Sequence, residues 1–253
     1  MDRFDERFPP PTLDLAVWTP AYLPAWSSRA AAAAEYRLDD EGLRLSIPDD
    51  HPVWCADRHE PPLRVSAVQS GNWSGAVGST RGQQPFREGL VVREEQPEQR
   101  GFTPHHGVVE VECRARLGPR SMFSAWLIGM EDRPERCGEI CLVEVFGDSV
   151  SPSSAAVGAG LHPFRDPSLR EEFSADRRSI DVSTFHRYAV DWTSEGVEFL
   201  IDDEVVRRSD QSPDYPMLLI LGLFDFPGRA VPGRVEEPPE LVVRRVSGRR
   251  SPH

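Results

Sequence analysis

The sequence of 253 residues contains no lysine, so arginine supplies all 29 of its basic residues. Acidic residues number 41, and the formal net charge is −12. Binding to nucleic acid requires clustered positive charge that neutralises phosphates, and this balance disfavours it. Neutral ligands such as glycans are compatible with it. We therefore expect no nucleic-acid partner.

Long apolar segments are also missing. No apolar run approaches the roughly 18 residues that cross a bilayer, so we expect no membrane partner. The first residues, MDRFDERFPPP, do not combine a positively charged segment with an apolar one, as a secretory signal does. We expect a cytoplasmic protein, while a lost leader or unconventional export, and hence an extracellular location, stays open.

Cysteine is scarce and its spacing is uninformative. Cys55, Cys113, Cys137 and Cys141 fit neither a CxxC pair nor a zinc knuckle, and four cysteines in so long a chain do not indicate a disulfide scaffold. We expect Cys55 and Cys113 to be free, buried thiols. No group of residues resembles a catalytic metal cluster, and we expect no catalytic metal and no cofactor.

Helical signals are few, and strand signals dominate. The segment SSRAAAAAEY, residues 27–36, predicts one short peripheral helix behind a serine cap. Alternating or continuously apolar segments predict strands within residues 36–48, 107–117, 121–130, 186–208, 216–224 and 240–248. This pattern predicts an all-β fold, an antiparallel β-sandwich or jelly roll. We expect one domain over residues 1–248, a disordered tail at 249–253, and a monomer.

The segment CGEICLVEVFG, residues 137–147, places two acids in an apolar strand. In regular alternation Glu139 and Cys141 share one face and Glu144 points to the other. A β-bulge within residues 142–143 adds one residue and brings Glu144 onto the face of Glu139. Two carboxylates on one sheet surface can cleave a glycosidic bond, one as nucleophile and one as general acid/base. Without a bulge, one glutamate faces solvent and the other lies near an edge.

The segment GEICLVE resembles the G-E-(I/L)-D-(I/V/L)-x-E signature of glycoside hydrolase family 16, the laminarinase, lichenase and agarase group. The longer form of that signature has a bulge between its glutamates. HGVVEVECRARL is similar to the family's YGrfEaRiKlp strand, SMFSAWLIG to PAfWLLG, and PMLLILGLF to PmylilNlavG. FHRYAVDWTSEGVEFLIDDEVVRR follows FHtYaieWtpd.i.wyvDG..v, and ELVVRRVSG the closing vDYVRVyq strand. The resemblance covers residues 36–248 and implies a concanavalin A-like jelly roll.

The resemblance also implies an activity: a retaining glycosidase or transglycosylase acting on a β-linked poly- or oligosaccharide such as a β-glucan. Glu139 would attack the anomeric carbon. Glu144 would protonate the departing oxygen and then activate water. Like charge and partial burial would leave one proton on the pair near neutral pH.

Cys141 stands where the family has its central aspartate. A thiol is a weak and usually neutral partner, so its presence should lower the pKa of both glutamates relative to the family pattern and favour an acidic optimum. We include Cys141 among the candidate catalytic residues. A role as nucleophile is the weaker alternative, because no neighbouring histidine would activate it.

Two further family features are absent: the tryptophan before the first glutamate, and an asparagine whose place is taken by Gly222. Candidates for sugar contacts are Trp126, the Asn72–Trp73 pair in SGNWSGAVGST, and His162 in VGAGLHPF, which lies on the family's histidine. Trp126 has an alternative place in the core, and Trp73 in an ordinary loop with its ring turned inward. His162 could instead satisfy a neighbouring strand.

Two other functions compete with the glycosidase. A catalytically weak, lectin-like carbohydrate-binding domain would explain Cys141 and the missing aromatic and asparagine. An intracellular interaction module would leave two acids in an apolar strand unexplained. Glutamates on opposite faces of the sheet would exclude the enzyme.

Overall fold

The computed structural model describes residues 3–230 and 237–251. Within these ranges the chain is built almost entirely of strands. They are β1 (Phe4–Glu6), β2 (Tyr36–Asp39), β3 (Gly42–Ser46), β4 (Arg64–Gln69), β5 (Gly71–Asn72), β6 (Gln99–Arg100), β7 (Gly107–Arg116), β8 (Ser121–Gly129), β9 (Glu139–Phe146), β10 (Ala155–His162), β11 (Glu172–Arg178), β12 (His186–Thr193), β13 (Gly196–Ile201), β14 (Glu204–Ser209), β15 (Met217–Asp225) and β16 (Glu240–Arg249). Short 3-10 helices cover Pro24–Trp26, Gly147–Ser149 and Pro227–Arg229.

Two antiparallel sheets form a sandwich. One has the order β14–β13–β12–β7–β16–β3–β2, with β1 added beside β16, and the other has the order β11–β10–β9–β8–β15–β4. Strands β5 and β6 pair separately. The predicted all-β antiparallel sandwich is confirmed, and the predicted strand segments contain strands of this list.

The core between the sheets follows from alternation along the strands. In β7, Val109, Val111 and Cys113 are buried in this core, while Glu110 and Glu112 between them are partly exposed. Residues of β8, β9 and β15 complete it from the other sheet. Burial of one face of each sheet stabilises the sandwich through apolar area removed from water.

Strands β8 and β15 are buried on both faces, as their continuous apolar runs predict. The second cover is a layer on the outer face of the six-stranded sheet, formed by residues 21–32, 54–63 and 90–92, which we call the roof. Trp26 lies at 0% exposure within it and donates its indole N–H to the Gln83 carbonyl at 2.8 Å. The roof covers β4, β15 and β8.

The helix predicted over residues 27–36 is wrong. These residues form turns, and Tyr36 begins β2. Tyr22 donates its backbone N–H to the Ala32 carbonyl at 2.9 Å, and Ala33 pairs with Ala21 as an isolated bridge. A ten-residue segment with five alanines is a marginal helix in water, and burying Ala32 in the roof prevails over helix propensity.

The tail was predicted to begin too early, because β16 extends to Arg249, and residues 252–253 lie outside the described ranges. One domain over residues 1–248 stays a prediction. All four cysteines are free and buried, which confirms the prediction for Cys55 and Cys113. In the part of the chain that the structure describes, no helix is both long and apolar enough to cross a membrane.

Candidate active site

Strand β9 departs from regular pairing in its middle. Trp126 of β8 pairs with Cys141, but the neighbouring Ala125 pairs with Val143, so Leu142 is passed over. The pairing of β9 with β10 shifts at the same place. This is the bulge that the sequence predicts within residues 142–143, and it is confirmed.

The bulge places both glutamates on the outer face of the sheet. Leu142 and Val143 both belong to the core between the sheets, whereas Cys141 belongs to the cluster on the outer face. One residue more than regular alternation therefore separates Cys141 from Glu144, and Glu139, Cys141 and Glu144 point to the same side. Glu139 and Glu144 therefore do not lie on opposite faces of the sheet, which would have excluded a two-carboxylate site.

Backbone contacts fix the start of β9. Gly138 donates its N–H to the Tyr215 hydroxyl at 2.8 Å, and that hydroxyl donates to Asp166 at 2.5 Å. A side chain at Gly138 would meet Leu169 and the same hydroxyl. The strand thus enters the sheet in one register, with Glu139 opposite Ile128 on one side and His162 on the other.

Both glutamates resist ionisation. Burial, with smaller contributions from the charges of Glu144 and Glu171, raises the pKa of Glu139 to about 8. Burial also raises the pKa of Glu144 above its ordinary value, and the charge of His162 opposes that rise. Neighbouring carboxylates in a poorly hydrated site share a proton and titrate as a pair. The acidic optimum expected from Cys141 is therefore opposed by burial, which holds one proton on the pair near neutral pH.

Cys141 lies between the glutamates at 1% exposure. Burial and the charges of Glu139 and Glu144 raise its pKa well above the ordinary value, so the thiol stays neutral. Its Sγ lies 3.9 Å from Ser124 Oγ, which donates to the Val143 carbonyl at 2.8 Å. A neutral, enclosed thiol is a poor nucleophile. A catalytic contribution of Cys141 beside the pair stays a prediction.

Trp126 lies under the roof at 5% exposure, near Tyr22 and Phe224 at ring-centroid distances of 6.4 and 6.0 Å. Its buried indole nitrogen has no hydrogen-bond partner among the described residues. A side chain at Gly222 would come within 3.1 Å of the Trp126 ring and 2.7 Å of the Phe224 ring. The two rings therefore occupy space near the position of the family's asparagine, which explains that departure.

The loop candidates lie in the interior. Asn72 is 1% exposed, accepts from Gln69 at 3.2 Å and donates to Gln96 at 3.1 Å, so the prediction of a direct sugar contact by Asn72 is wrong. The Asn72 side-chain amide instead holds the buried β5–β6 ribbon through these two hydrogen bonds. Trp73 is partly buried, donates its indole N–H to the Met130 carbonyl, and carries the Arg81 guanidinium 5.3 Å from its ring. A sugar contact by Trp73 stays a prediction.

His162 stands beside both carboxylates. It pairs across the strands with Glu139, and its charge acts on Glu144. Its Nδ1 lies 2.9 Å from Glu171, and its ring lies 4.6 Å from that of Phe173. Of the four predicted sugar-binding residues, the structure brings His162 and Trp126 to the strand with the glutamates.

Sequence reasoning missed two aromatic rings at the site. Tyr22 interacts electrostatically with Glu139, and burial together with that charge raises the tyrosine pKa. Phe173 adjoins Glu144 across Gly158, where an added Cβ would come within 2.5 Å of the Phe173 ring and 3.3 Å of Glu144 Cβ. The only signal for Tyr22 is the aromatic-rich segment AYLPAW, and nothing local in EEFSADRR marks Phe173.

A separate group of possible metal ligands lies in the segments that precede β7 and β15. His105, His106 and Asp214 each offer one ligand atom, and these atoms lie within 4.8 Å of one another. His105 Nε2 already lies 2.8 Å from Asp214. The rings of both histidines lie within 6.0 Å of Trp192. No contact joins this group to the two glutamates within the described ranges.

Known structures share this architecture. The GlcNAcα1-4Gal releasing endo-β-galactosidase from Clostridium perfringens has a TM-score of 0.81 and 27% identity over 97% of this chain, which spans 61% of that protein's length. The laminarinase from Flavobacterium sp. UMI-01 has a TM-score of 0.62 and 15% identity, over 97% of this chain and 98% of its own. The laminarinase catalytic domain from Thermotoga petrophila RKU-1 has a TM-score of 0.62 and 13% identity, over 99% and 97%. The last two similarities concern the fold alone.

No curated protein sequence matches this chain. A family model described as glycosyl hydrolases family 16 matches residues 100–226. That range is half of the chain and contains Glu139, Glu144 and the bulge between them. The chain therefore belongs to glycosyl hydrolase family 16.

Proposed function

We propose that this protein is a retaining glycosidase, or transglycosylase, that cleaves β-linked glycans with Glu139 as nucleophile and Glu144 as general acid/base. The observation that carries the proposal is the bulge at Leu142, which aligns both carboxylates on one face. A strand without it would separate them.

The chemistry proceeds in two steps. A Glu139 carboxylate oxygen attacks the anomeric carbon while Glu144 gives its proton to the departing oxygen, which leaves as an alcohol. Glu144 then takes a proton from water, or from a sugar hydroxyl in transfer, as that oxygen displaces Glu139. Two inversions retain the β configuration.

The raised pKa values fit this cycle if the pair carries one proton. The singly protonated pair is populated from above the ordinary glutamate pKa up to about pH 8. In the productive complex that proton must reside on Glu144, so bound sugar has to stabilise the ionised form of Glu139. We expect a bell-shaped pH profile with a near-neutral optimum.

The substrate class follows from similarity and from the aromatic rings. The greater likeness is to an endo-β-galactosidase, and the laminarinases are more distant. We propose a β-galactosidic linkage ahead of a β-glucan. Tyr22 beside Glu139 and Phe173 beside Glu144 supply apolar faces for sugar rings in place of the family's absent tryptophan.

The test is turnover of β-linked galactans and β-1,3-, β-1,4- and mixed-linked glucans from pH 4 to 9. Glu139→Gln and Glu144→Gln should each lower kcat by at least about 10³-fold. Glu112→Gln is the matched control, because Glu112 is a partly exposed glutamate on the other sheet. Equal activity of all three variants and the wild type would refute the glutamate mechanism.

Azide separates the two roles. In Glu144→Ala, azide should attack the glycosyl-enzyme and release a β-glycosyl azide after two inversions. In Glu139→Ala it should attack the substrate directly and release the α-anomer. Exchanged anomers would reverse the assignment. Binding of a glycan without turnover by wild type or by Cys141→Asp would favour the lectin-like alternative.

A further inference from the structure

A pocket of about 240 Å³ lies near Glu139, which is not itself one of its lining residues. Two of its lining residues adjoin that glutamate: Tyr22 interacts with its charge, and Cys137 precedes it by two positions. The volume lies below the roughly 300–1,000 Å³ typical of pockets for drug-sized ligands, so it suits a smaller ligand.

Aromatic rings form much of the wall. Trp54 lies 5.0 Å from Tyr22 and 4.8 Å from Phe86 between ring centroids, and its indole N–H donates to the Tyr22 carbonyl at 3.0 Å. Phe164 also lines the pocket and is 57% exposed, one of the few large apolar side chains so exposed in the described ranges. Aromatic faces suit the CH face of a pyranose ring.

Polar groups stand among these rings. Gln84 is partly exposed and lines the pocket, and its buried side-chain oxygen has no hydrogen-bond partner among the described residues, which is costly in a folded protein. Glu131, at 5% exposure, accepts from the Gln84 backbone N–H at 2.5 Å and pairs with Arg165. An acceptor and a charged pair beside aromatic walls match the hydroxyls and CH faces of a sugar.

The backbone is strained at three of the lining residues. Gln84, Glu131 and Phe164 have φ values of 44°, 55° and 46°. Residues other than glycine rarely adopt this left-handed region, and such strain clusters at ligand sites where surrounding structure enforces it. Here Phe164 carries the exposed ring, Gln84 the amide with the unpaired oxygen, and Glu131 the buried carboxyl.

Part of the pocket wall comes from residues that precede the segment matched by the family model. The family model begins at residue 100, whereas Tyr22, Trp54, Gln84 and Phe86 precede it. Buried Leu23, Leu63 and Cys137 line the pocket and close it toward the roof.

We propose that this pocket binds one pyranose residue of the glycan, next to the sugar that Glu139 attacks, with stacking on Phe164 and a hydrogen bond to the Gln84 amide. This inference rests on the proposed function. It predicts that a substrate long enough to fill this pocket is cleaved more efficiently than one that occupies only the site at Glu139.

The test uses β-linked galacto- and gluco-oligosaccharides of two to six residues, together with aryl β-monoglycosides, on the full-length protein. Phe164→Ala and Gln84→Met should each lower kcat/KM for the oligosaccharides by about tenfold, the worth of a stacked ring or one hydrogen bond. Activity on the monoglycosides, which occupy only the site at Glu139, should not change. Phe164→Tyr, which keeps the aromatic ring, should retain the wild-type kcat/KM. Leu15→Ala is the matched control, because Leu15 is 63% exposed and lies outside the pocket.

Different results overturn the two proposals. Turnover that requires Glu139 but is insensitive to Phe164→Ala and Gln84→Met on every chain length refutes the pocket and leaves the function standing. Absence of all turnover refutes the function. The pocket is then judged by the affinity of the same oligosaccharides for Glu139→Gln protein. Binding weakened about tenfold by Phe164→Ala supports it, and binding that is absent or unaffected refutes it.

Discussion

The two halves of the six-stranded sheet carry different cover on the same kind of backbone. Over β4, β15 and β8 the roof buries aromatic and aliphatic side chains, Trp26 among them. Over β9 and β10 the outer face carries Glu144 and His162, which remain partly exposed, as does Phe173 of β11. Pairing alone does not separate these halves, since the antiparallel ladder is continuous across them.

Glu139 lies at the boundary between the two halves, and its pKa reflects the groups on both sides. Tyr22 of the roof borders it on one side and Glu144 on the other. Its pKa is raised to about 8, chiefly by burial. Because Tyr22 of the roof borders Glu139, we expect the roof to contribute to the burial that raises this pKa.

Removing the roof's largest buried side chain should have the largest effect on stability. Trp26→Ala should lower the free energy of unfolding by about 3–5 kcal/mol, since it empties a fully buried site and leaves the Gln83 carbonyl unpaired. It should also let water reach Glu139 and lower its pKa. Because kcat/KM reports the free enzyme, in which the pair loses its last proton near the pKa of Glu139, the alkaline limb of the kcat/KM profile should shift downward. Urea unfolding and that profile are the measurements.

Trp192→Ala is the matched control for Trp26→Ala. Trp192 is also at 0% exposure, but it lies in the core between the sheets and donates to Ser212 at 3.0 Å. A similar loss of stability with an unchanged profile would separate the roof from the core. If both variants shifted the alkaline limb equally, the roof would have no specific effect on Glu139.

The raised pKa of Glu139 should appear as a pH-dependent cost to stability. A glutamate whose pKa is higher in the folded state stabilises the fold relatively at low pH, and this contribution is lost as pH rises from about 4.5 through about 8. Glu139→Gln should therefore raise the melting temperature at pH 9 by at least about 3 °C and much less at pH 5. An equal shift at both pH values would show that ionisation is not the cause.

Restoring an acid at position 141 should alter the pair's proton affinity. Cys141 is buried and neutral, so Cys141→Asp places an acid between Glu139 and Glu144. Wherever that aspartate ionises, repulsion raises the pKa of its neighbours, and the alkaline limb of activity should move upward by roughly one pH unit. Cys141→Ser, which adds no charge, should leave the limb in place. A shift in both variants would point to packing.

Strands with strong patterns and the β9 bulge could be predicted from the sequence. In β9, the flanking apolar residues conflict with regular alternation, and a bulge resolves the conflict by sending Leu142 and Val143 to the same core. The bulge could be predicted because both the conflict and its resolution depend only on neighbouring residues of the same strand.

The roof could not be predicted, because its structure depends on distant partners. The alanine segment has helical propensity, yet Ala32 is buried in the roof and its carbonyl accepts from Tyr22. Asn72 occurs in a loop-like segment, but its amide is used by Gln69 and Gln96. Tyr22 and Phe173 reach the glutamates through tertiary packing, which no local period encodes.

The bulge itself offers the smallest and most selective test of the two halves. Ser124 donates to the Val143 carbonyl at the bulge, and Ser66, on the roofed half, donates to the Glu35 carbonyl at 2.9 Å. Both serines are buried, so each alanine variant should cost about 1 kcal/mol of stability. Only Ser124→Ala should also lower kcat, because the Val143 carbonyl helps to hold Glu144 on the face of Glu139. Equal kcat in both variants would show that the bulge keeps its geometry without this bond.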